Sequence, residues 1–379
     1  MFMSPTDVLI RETVDIMVSN GFVTAGYKYL NLDDGIVELD RDANGDLVAD
    51  LQGFPNGFKA TSDYVHERGM LFGVYTDRGT TTCGGRAGAL GHEAADAAFY
   101  ARNGIDYVKE DSCNAVDDPT TGFHEYSLMR DALNATGRSI FFSLCGWHDW
   151  YSPVCAALGN SCRIGPDDIN WHGVLRNIDD MAPLYSYAGP GGFNDPCLLL
   201  GTSSNGKQDV TDLQGRAQFT MWAMLAAPML ISSNIRNLTA YQTETYLSGE
   251  AIAVGQDVKG HQAQRVAGGN MTAVTYSAAG VRTVTLSAAS PTSTWLKQLA
   301  SGSYAIAAIN PGPVATTNVS CDFACLTRQT GWTAGQLLTV RDVWAKIDLP
   351  NITAGAGWTV NTPLDASGGH VLQILTPLF

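Results

Sequence analysis

The sequence is poor in basic charge and has no long hydrophobic segment. Only 23 Lys and Arg side chains stand against 37 Asp and Glu, and the net charge of −14 repels phosphate backbones and anionic lipid surfaces. The longest apolar run, Met221 to Ile231, contains Pro228 and is shorter than the roughly 20 residues that cross a bilayer. We therefore expect a soluble protein that binds neither nucleic acid nor membrane.

Motifs for common cofactors are missing as well. No G-x-G-x-x-G follows an early strand, which weakens a dinucleotide-binding interpretation. The seven His are scattered and no C-x-x-C occurs, so we expect no metal site and no cofactor. A Cys nucleophile is not supported either, because no His or Asn partner lies at an informative spacing.

Cysteines and glycosylation sequons are present, and they bear on the compartment. Eight Cys and five N-x-S/T sequons favour an oxidising, glycosylating route, although sequons also occur by chance in Asn- and Thr-containing loops. The first residues have neither a basic region nor an apolar segment, so we expect no signal peptide in this chain. The prediction is a secreted or vacuolar, lysosome-like protein; the sequons are Asn134, Asn237, Asn270, Asn318 and Asn351.

The pattern of apolar and polar residues changes once along the chain. From residue 8 to about 255, short β-rich runs alternate with amphipathic helical stretches such as Val8–Asn20, Gly91–Arg102 and Leu213–Ala226, a pattern that favours an α/β barrel, a (β/α)8 TIM barrel. The predicted strands are Tyr27–Asp33, Leu71–Asp77, Asp106–Asp111, Ile140–Cys145, Cys162–Pro166, Gly192–Asp195 and Met229–Ser232.

After about residue 260, short alternating runs without a helical period predict a C-terminal antiparallel β-sandwich. The predicted domains are residues 1–258 and 259–379. The sandwich strands are Thr272–Ser277, Arg282–Ser287, Tyr304–Asn310, Leu338–Val343 and His370–Leu375.

Charged or aromatic residues follow most of the predicted barrel strands, where the loops of such a barrel build an active face. A lone acid after a strand is often only a helix cap, but six strand ends of this kind are not expected by accident. Carboxylates beside Tyr and Trp suit sugar hydrolysis, in which one acid protonates the leaving oxygen while a second carboxylate attacks or activates water. The residues are Asp33, Asp34, Tyr75, Asp77, Lys109, Asp111, Cys145, Trp147, Arg163, Asp167 and Asp195.

The strings "GYKYLNLDDG" and "YTDRGTTTCGGRAGALGHEAADAAFYARNGIDYVKEDSC" resemble the glycoside hydrolase 27 family of α-galactosidases and melibiases. "SLCGW", "CRIGPDD", "GPGGFNDP" and "AQFTMWAMLAAPMLISSNI" follow in the family's order, and "VRDVW" is similar to its C-terminal sandwich. The resemblance implies a retaining, two-step mechanism in which Asp111 is the nucleophile and Asp167 the general acid/base. Asp168 is adjacent, and one residue of register would exchange it with Asp167. Retention requires carboxyls about 5–5.5 Å apart.

The resemblance also implies how galactose is bound. Asp33 and Asp34 would bind O4 and O6, Lys109 would donate to O3 and O4, and Arg163 would bind O2 or O3. Tyr75 and Asp195 would line the pocket, and Cys145 and Trp147 would close the space around C2 so that a hydroxyl is favoured over an N-acetyl group. For Lys109 an ion pair with Glu110 or Asp111, and for Trp147 a place in the core, are the structural alternatives.

Three cysteine pairs are expected. Cys83 and Cys113 match the family's disulfide beside the nucleophile, whereas Cys155 with Cys162, and Cys321 with Cys325, are close enough in sequence to be bridged locally; spacing alone proves no connectivity. Cys145 and Cys197 would then remain thiols.

Four departures from the family pattern stand out. The family's first strand, with "GWNSW", has no counterpart, so the chain is expected to lack the first barrel strand. Ile36 replaces an aromatic residue, Gly146 replaces a common Glu and is expected to loosen the C2 side, and Cys197 replaces a second Asp.

Three hypotheses on function follow. The first is an α-galactosidase acting on terminal α-linked galactose in oligosaccharides or glycans. The second is a relative acting on α-N-acetylgalactosamine, β-L-arabinopyranose or an α-glucan, and the third is a sugar-binding protein with little or no turnover. The sequence does not specify the oligomeric state, and a homodimer is compatible with it.

Overall fold

The computed structural model describes residues 5–202, 206–289, 291–317 and 319–378. The chain divides into two compact units, one up to Arg163 and one from Ile164 onwards. The sequon Asn318 lies outside the described residues. No helix within those residues combines the length and the apolar character needed to cross a bilayer. The domain boundary at residues 258 and 259 remains a prediction.

The first unit alternates parallel strands with helices. Its strands pair in sequential order, and each crossover includes a helix on the way to the next strand. The strands are β1 Tyr29–Asn31, β2 Leu71–Asp77, β3 Tyr107–Asp111, β4 Phe141–Leu144 and β5 Ser161–Arg163; the helices are α1 Asp7–Ser19, α2 Phe22–Ala25, α3 Gly57–Glu67, α4 Glu93–Arg102, α5 Pro119–Ala135 and α6 Cys155–Leu158, with a 3-10 turn at Asp149–Val154.

Burial explains why these strands form. Six of the seven residues of β2 and four of the five of β3 are buried, as expected of parallel strands that are covered on both faces. Aromatic side chains fill the space between the sheet and its helices: Phe58 of α3 packs edge-on against Phe72 of β2 and against Phe99 of α4. Such packing holds the carboxyl ends of the strands in fixed relative positions.

The second unit begins with a mixed segment and ends in antiparallel sheets. The mixed segment contains α7 Trp171–Met181, β6 Phe193–Asp195, α8 Asp212–Leu225, α9 Ala240–Tyr246 and α10 Gly249–Gly255. After it come β7 Gln264–Ala267, β8 Thr272–Tyr276, β9 Arg282–Leu286, β10 Ser293–Gln298, β11 Tyr304–Asn310, β12 Ser320–Cys321, α11 Phe323–Thr330, β13 Leu337–Asp342, β14 Ile347–Thr353, β15 Trp358–Thr359 and β16 Gly369–Pro377.

The main antiparallel sheet has the strand order β14-β13-β16-β11-β10-β7, and β8 pairs with β9 and β12 with β15. Its core is formed by buried side chains such as Leu296, Ile306, Leu326 and Trp358. β11 is buried along its whole length because it lies inside the sheet between β10 and β16.

Two predictions about elements are wrong. Met229–Ser232 is not a strand: it contributes a single parallel bridge, from Ile231 to Leu199. The C-terminal region does contain a helix, α11, which begins after the cap Asp322, whose side chain accepts a hydrogen bond from the Cys325 N–H. Its eight residues are too few for the apolar period to stand out in the sequence.

Candidate active site

The register of β2 and β3 brings four predicted site residues side by side. Tyr75 is paired with Lys109, and Asp77 with Asp111. Because side chains alternate between the faces of a strand, Tyr75 and Asp77 share one face of β2, as Lys109 and Asp111 share that of β3. The same face therefore carries the phenol, the ammonium group and both carboxyl groups at the carboxyl ends of the two strands.

Asp111 is buried, with 6% of its surface exposed, and its carboxylate is surrounded by donors. The Tyr75 hydroxyl donates to Oδ2 at 3.0 Å, and the Ser112 backbone N–H donates to Oδ1 at 3.0 Å. The Lys109 ammonium lies 3.8 Å from Oδ2. Two hydrogen bonds and a nearby ammonium group fix the orientation of this carboxylate.

Lys109 forms a closer ion pair with Asp33, since Nζ lies 2.7 Å from Oδ2. Burial opposes the charge on Lys109, but the neighbouring Cys145 and the carboxylates of Asp33 and Asp111 outweigh it and raise the pKa of the lysine. In turn, Lys109 lowers the pKa of Asp33 against the opposing effect of burial. The ion-pair alternative for Lys109 is thus observed, with Asp33 as the nearer partner, and it leaves the ammonium next to Asp111.

Asp34 connects the loop after β1 with the loop after β2. Its Oδ2 accepts a hydrogen bond from the Gly84 N–H at 2.6 Å, and its Oδ1 accepts one from the Gly35 N–H at 2.7 Å. A Cβ on residue 84 would lie 2.9 Å from Oδ2 of Asp34, so glycine at this position leaves room for the carboxylate. Asp33 and Asp34 are both held by backbone or ionic contacts at one rim of the site.

The disulfide Cys83–Cys113 lies beside Asp111. The Cys83 sulfur is 3.2 Å from the Tyr75 hydroxyl and 3.7 Å from Oδ2 of Asp111. Asp77 accepts hydrogen bonds from the backbone N–H groups of Cys113 and Gly79, both at 2.8 Å. Burial, followed by the charge of Asp111, raises the pKa of Asp77 to about 8.

These acids and sulfurs also form a compact cluster with the spacing of a metal site. The cluster consists of Asp77, Cys83, Asp111 and Cys113. Its two sulfurs are joined to each other, so neither is available as a thiolate ligand. The disulfides Cys155–Cys162 and Cys321–Cys325 are present too, so all three pairings named in the sequence analysis are confirmed.

Cys145 and Trp147 follow β4, and Arg163 is the last residue of β5. Cys145 is a buried free thiol whose pKa burial raises to about 12, so it is uncharged at neutral pH. An Arg163 Nη1 lies 3.5 Å from its sulfur. Trp147 has a positive φ of 62°, which is unusual for an aromatic residue and is typical of functional sites.

A buried network behind Asp111 could not be recognised from the sequence as part of the site. Arg78, 2% exposed, donates from Nε to the Ser112 hydroxyl at 2.9 Å and forms an ion pair with Glu125. The Ser112 hydroxyl also lies 2.8 Å from that of Tyr126. The only signal in the sequence is an arginine directly after a strand, in "YTDRG".

In the second unit, the two adjacent acids after β5 differ in environment. Asp167 is exposed, whereas Asp168 is buried at 2% exposure and accepts a hydrogen bond from the Gln218 side chain at 3.1 Å. Asp195, at the end of β6, is also buried, and its Oδ1 accepts a hydrogen bond from the Cys197 N–H at 2.9 Å. Cys197 has a φ of 126°, so the turn after Asp195 is strained.

Comparison with protein families gives two matches. The family model described as alpha galactosidase A matches residues 5–257, and the model of the alpha galactosidase C-terminal beta sandwich domain matches residues 289–374. Together they cover most of the chain. The fold class predicted from the sequence, an α/β barrel followed by an antiparallel sandwich, is confirmed.

Individual relatives agree with the family models. A probable alpha-galactosidase of Dictyostelium discoideum is 35% identical over 91% of this chain and 82% of its own length. An alpha-galactosidase of Cyamopsis tetragonoloba is 41% identical over a region that covers 68% of this chain and 62% of that protein. The structure of a Saccharomyces cerevisiae alpha-galactosidase with raffinose superposes with a TM-score of 0.82 at 27% identity, over 99% of this chain and 94% of the yeast chain.

Proposed function

Because the chain belongs to the alpha-galactosidase A family of glycoside hydrolases, we propose that it is a retaining α-galactosidase that removes terminal α-linked galactose from oligosaccharides or glycans. The observation that carries the proposal is the environment of Asp111. Its carboxylate is buried at the end of β3 and oriented by Tyr75, Ser112 and Lys109. Such an environment suits a nucleophile that attacks an anomeric carbon.

In the proposed mechanism, Asp111 forms a glycosyl ester while Asp167 protonates the leaving oxygen. Asp167 then takes a proton from the water that hydrolyses the ester. The exposure of Asp167 supports this role, since the acid must exchange protons with the leaving group and with water. Asp168 is buried against Gln218, which supports a structural role for that carboxyl group.

Recognition of galactose is proposed to fall to the polar groups around Asp111. Asp33 and Asp34 would bind O4 and O6, with Lys109 donating to O3 and O4. The ion pair of Lys109 with Asp33 supports the assignment, because it presents a donor and an acceptor together at the rim of the site. The raffinose held by the yeast relative supports a galactoside as the ligand class.

Five further residues are proposed to contact the sugar. Arg163 would bind O2 or O3, Cys145 and Trp147 would border C2, and Tyr75 and Asp195 would line the pocket. The uncharged thiol of Cys145 and the partly buried indole of Trp147 support a border that is closed to large substituents.

We place the protein in an oxidising compartment, secreted or vacuolar. Three disulfides support this location, as do the exposed positions of four sequon asparagines. These are Asn134, Asn237, Asn270 and Asn351.

The test is hydrolysis of a chromogenic α-galactoside beside the α-N-acetylgalactosaminide, α-glucoside and β-L-arabinopyranoside analogues. We expect the galactoside to be preferred and Asp111→Asn to lose roughly 1,000-fold or more in kcat, because an amide cannot attack the anomeric carbon. Asp131→Asn, the same change at an exposed aspartate of α5, is the matched control.

Each other result has a definite meaning. Turnover of another glycoside alone would transfer the assignment to a different member of the same class. Galactose binding without turnover, measured by calorimetry on the folded chain, would favour a binding protein. Full activity of Asp111→Asn would contradict the mechanism.

A further inference from the structure

The glycine at position 146 has no free space beside it. A Cβ built on Gly146 would lie 2.1 Å from Cε2 of Tyr151. The aromatic ring therefore occupies the volume that a side chain at residue 146 would take. The looser wall expected from the glycine in "CGW" is thus not observed on this side of the turn.

Tyr151 also lies against a second glycine. A Cβ built on Gly122 of α5 would lie 2.3 Å from the Tyr151 hydroxyl oxygen. The side chain is 1% exposed, and its ring packs edge-on against Phe123 at 5.6 Å and against Tyr126 at 5.4 Å between centroids. Glycine at both contacts lets the ring approach the two backbones closely, and the rings of Phe123 and Tyr126 pack against it.

The Tyr151 ring is connected through Tyr126 to the residues on either side of Asp111. Tyr126, which packs against Tyr151, places its hydroxyl 2.8 Å from that of Ser112 and 3.3 Å from the carbonyl oxygen of Glu110. Those two residues flank Asp111 in the chain. One rigid unit therefore backs both the nucleophile strand and the turn after β4.

The turn after β4 needs such support. Trp147 follows Gly146 directly and has a φ of 62°, a conformation that is costly for an aromatic residue and persists only when its surroundings hold it. The Tyr151 ring lies against the backbone of residue 146 and therefore limits the movement of this turn.

We propose that Tyr151 is a positioning residue that determines selectivity at C2 of the sugar. By filling the space beside Gly146 it holds the turn from Cys145 to Trp147 in place, so that the border of the site accepts a C2 hydroxyl and excludes an N-acetyl group. The inference rests on the proposed galactosidase function, because it takes from that function the place of C2 beside the turn.

The test compares two substrates on one preparation. The ratio of kcat/KM for the α-galactoside to that for the α-N-acetylgalactosaminide does not depend on the fraction of folded protein, so it separates selectivity from stability. Tyr151→Leu removes the ring, and we expect the ratio to fall about 10-fold or more, in the range usual for pocket-shape discrimination. Tyr151→Phe keeps the ring, and we expect a change below about 2-fold, within the uncertainty of non-additive contacts.

Gly146→Ala tests the same contact from its other side. The added methyl must displace the ring or the turn, so we expect KM for the galactoside to rise more than kcat falls. In Gly146→Ala/Tyr151→Leu the clash is relieved, and KM should return toward that of Tyr151→Leu alone. Gly335→Ala, at an exposed glycine with open space around it, is the matched control.

The outcomes are distinguishable. An active wild type whose ratio is unchanged in Tyr151→Leu, or whose galactoside KM is unchanged in Gly146→Ala, would overturn the role of Tyr151 and leave the proposed function standing. A folded wild type that turns over no α-galactoside would overturn the proposed function and this inference together.

Discussion

The ammonium group of Lys109 lies between two carboxylates, at 2.7 Å from Asp33 and 3.8 Å from Asp111. Lys109→Met keeps the aliphatic stem and removes the charge. We expect kcat/KM for an α-galactoside to fall about 10- to 100-fold, because hydrogen bonds to charged groups contribute about 1.5–3 kcal/mol. The measurement is steady-state kinetics beside Lys59→Met, which removes an exposed ion pair of α3. Equal kinetics for both variants would contradict the role of Lys109.

Single residues differ in how well the sequence predicts them. Lys109 and Asp111 could be placed together because a period of two puts them on one face of a strand, and the resemblance to a family supplied their roles. Tyr151 could not be recognised, since its significance depends on Gly122 and Gly146, which meet it only in three dimensions. Contacts of this kind leave no local sequence pattern, so the sequence alone does not distinguish Tyr151 from an ordinary core residue.

Strand β10 carries a buried lysine that joins it to two helices. Lys297 is fully buried, and its Nζ donates to the carbonyl oxygens of Ala223 at 2.8 Å and Val254 at 2.7 Å, in the last turns of α8 and α10. Burial lowers the pKa of Lys297 to about 7. The unfolded chain, with an ordinary lysine near 10.4, therefore binds more protons between about pH 7 and 10.

Below about pH 7 the burial of Lys297 lowers the free energy of unfolding by its full amount. This destabilisation disappears as the pH rises toward the pKa of lysine in the unfolded chain. We expect the free energy of unfolding to rise from pH 7 to pH 9 more in the wild type than in Lys297→Met, as measured by urea unfolding at both values. The same pH dependence in both proteins would contradict the shift; Lys59→Met is the control.

The disulfide Cys83–Cys113 ties the loop after β2 to the loop after β3. It closes a separation of 30 residues, and chain entropy alone predicts a stabilisation of about 3–4 kcal/mol. In Cys83→Ser/Cys113→Ser we expect lower thermal stability together with a loss of activity, because the Cys83 sulfur lies beside Tyr75 and Asp111.

A second disulfide provides the control. Cys321–Cys325 closes a separation of four residues in the C-terminal sheets, and its double serine variant should keep its kcat/KM. If thermal unfolding and galactoside kinetics show equal losses of activity in both double variants, the Cys83–Cys113 bridge has no particular role at the site.

Elements were predictable where a strand buried on both faces appears in the sequence as a continuous, mainly apolar run. β2 matches its prediction residue for residue because it is a long strand covered on both faces. The strand predicted at Met229–Ser232 was wrong because an apolar run of that length is compatible with a strand and with an irregular segment that makes one bridge. Helix α11 was not predicted because its start depends on a cap at Asp322, and residues that can cap a helix are common in loops as well.

The two kinds of domain in this chain follow from two sequence patterns. The alternation of strands and helices up to about residue 255 indicates the barrel, and short strands separated by turns indicate the sandwich; both agree with the family models over residues 5–257 and 289–374. The excess of acidic residues suits an uncharged sugar as ligand, since the net charge of −14 disfavours polyanions. Composition could not distinguish galactose from other sugars, because that choice depends on the positions of a few side chains around C2 and C4.

The proposed mechanism requires Asp111 to form a covalent bond with a galactosyl group. Peptide mass spectrometry of the purified chain, after reaction with a mechanism-based inactivator that carries the galactose configuration, detects such a bond. We expect a galactosyl ester on Asp111, prevented by excess galactose and absent from Asp111→Asn. A label on another carboxylate, or none in a preparation that hydrolyses α-galactosides, would contradict it.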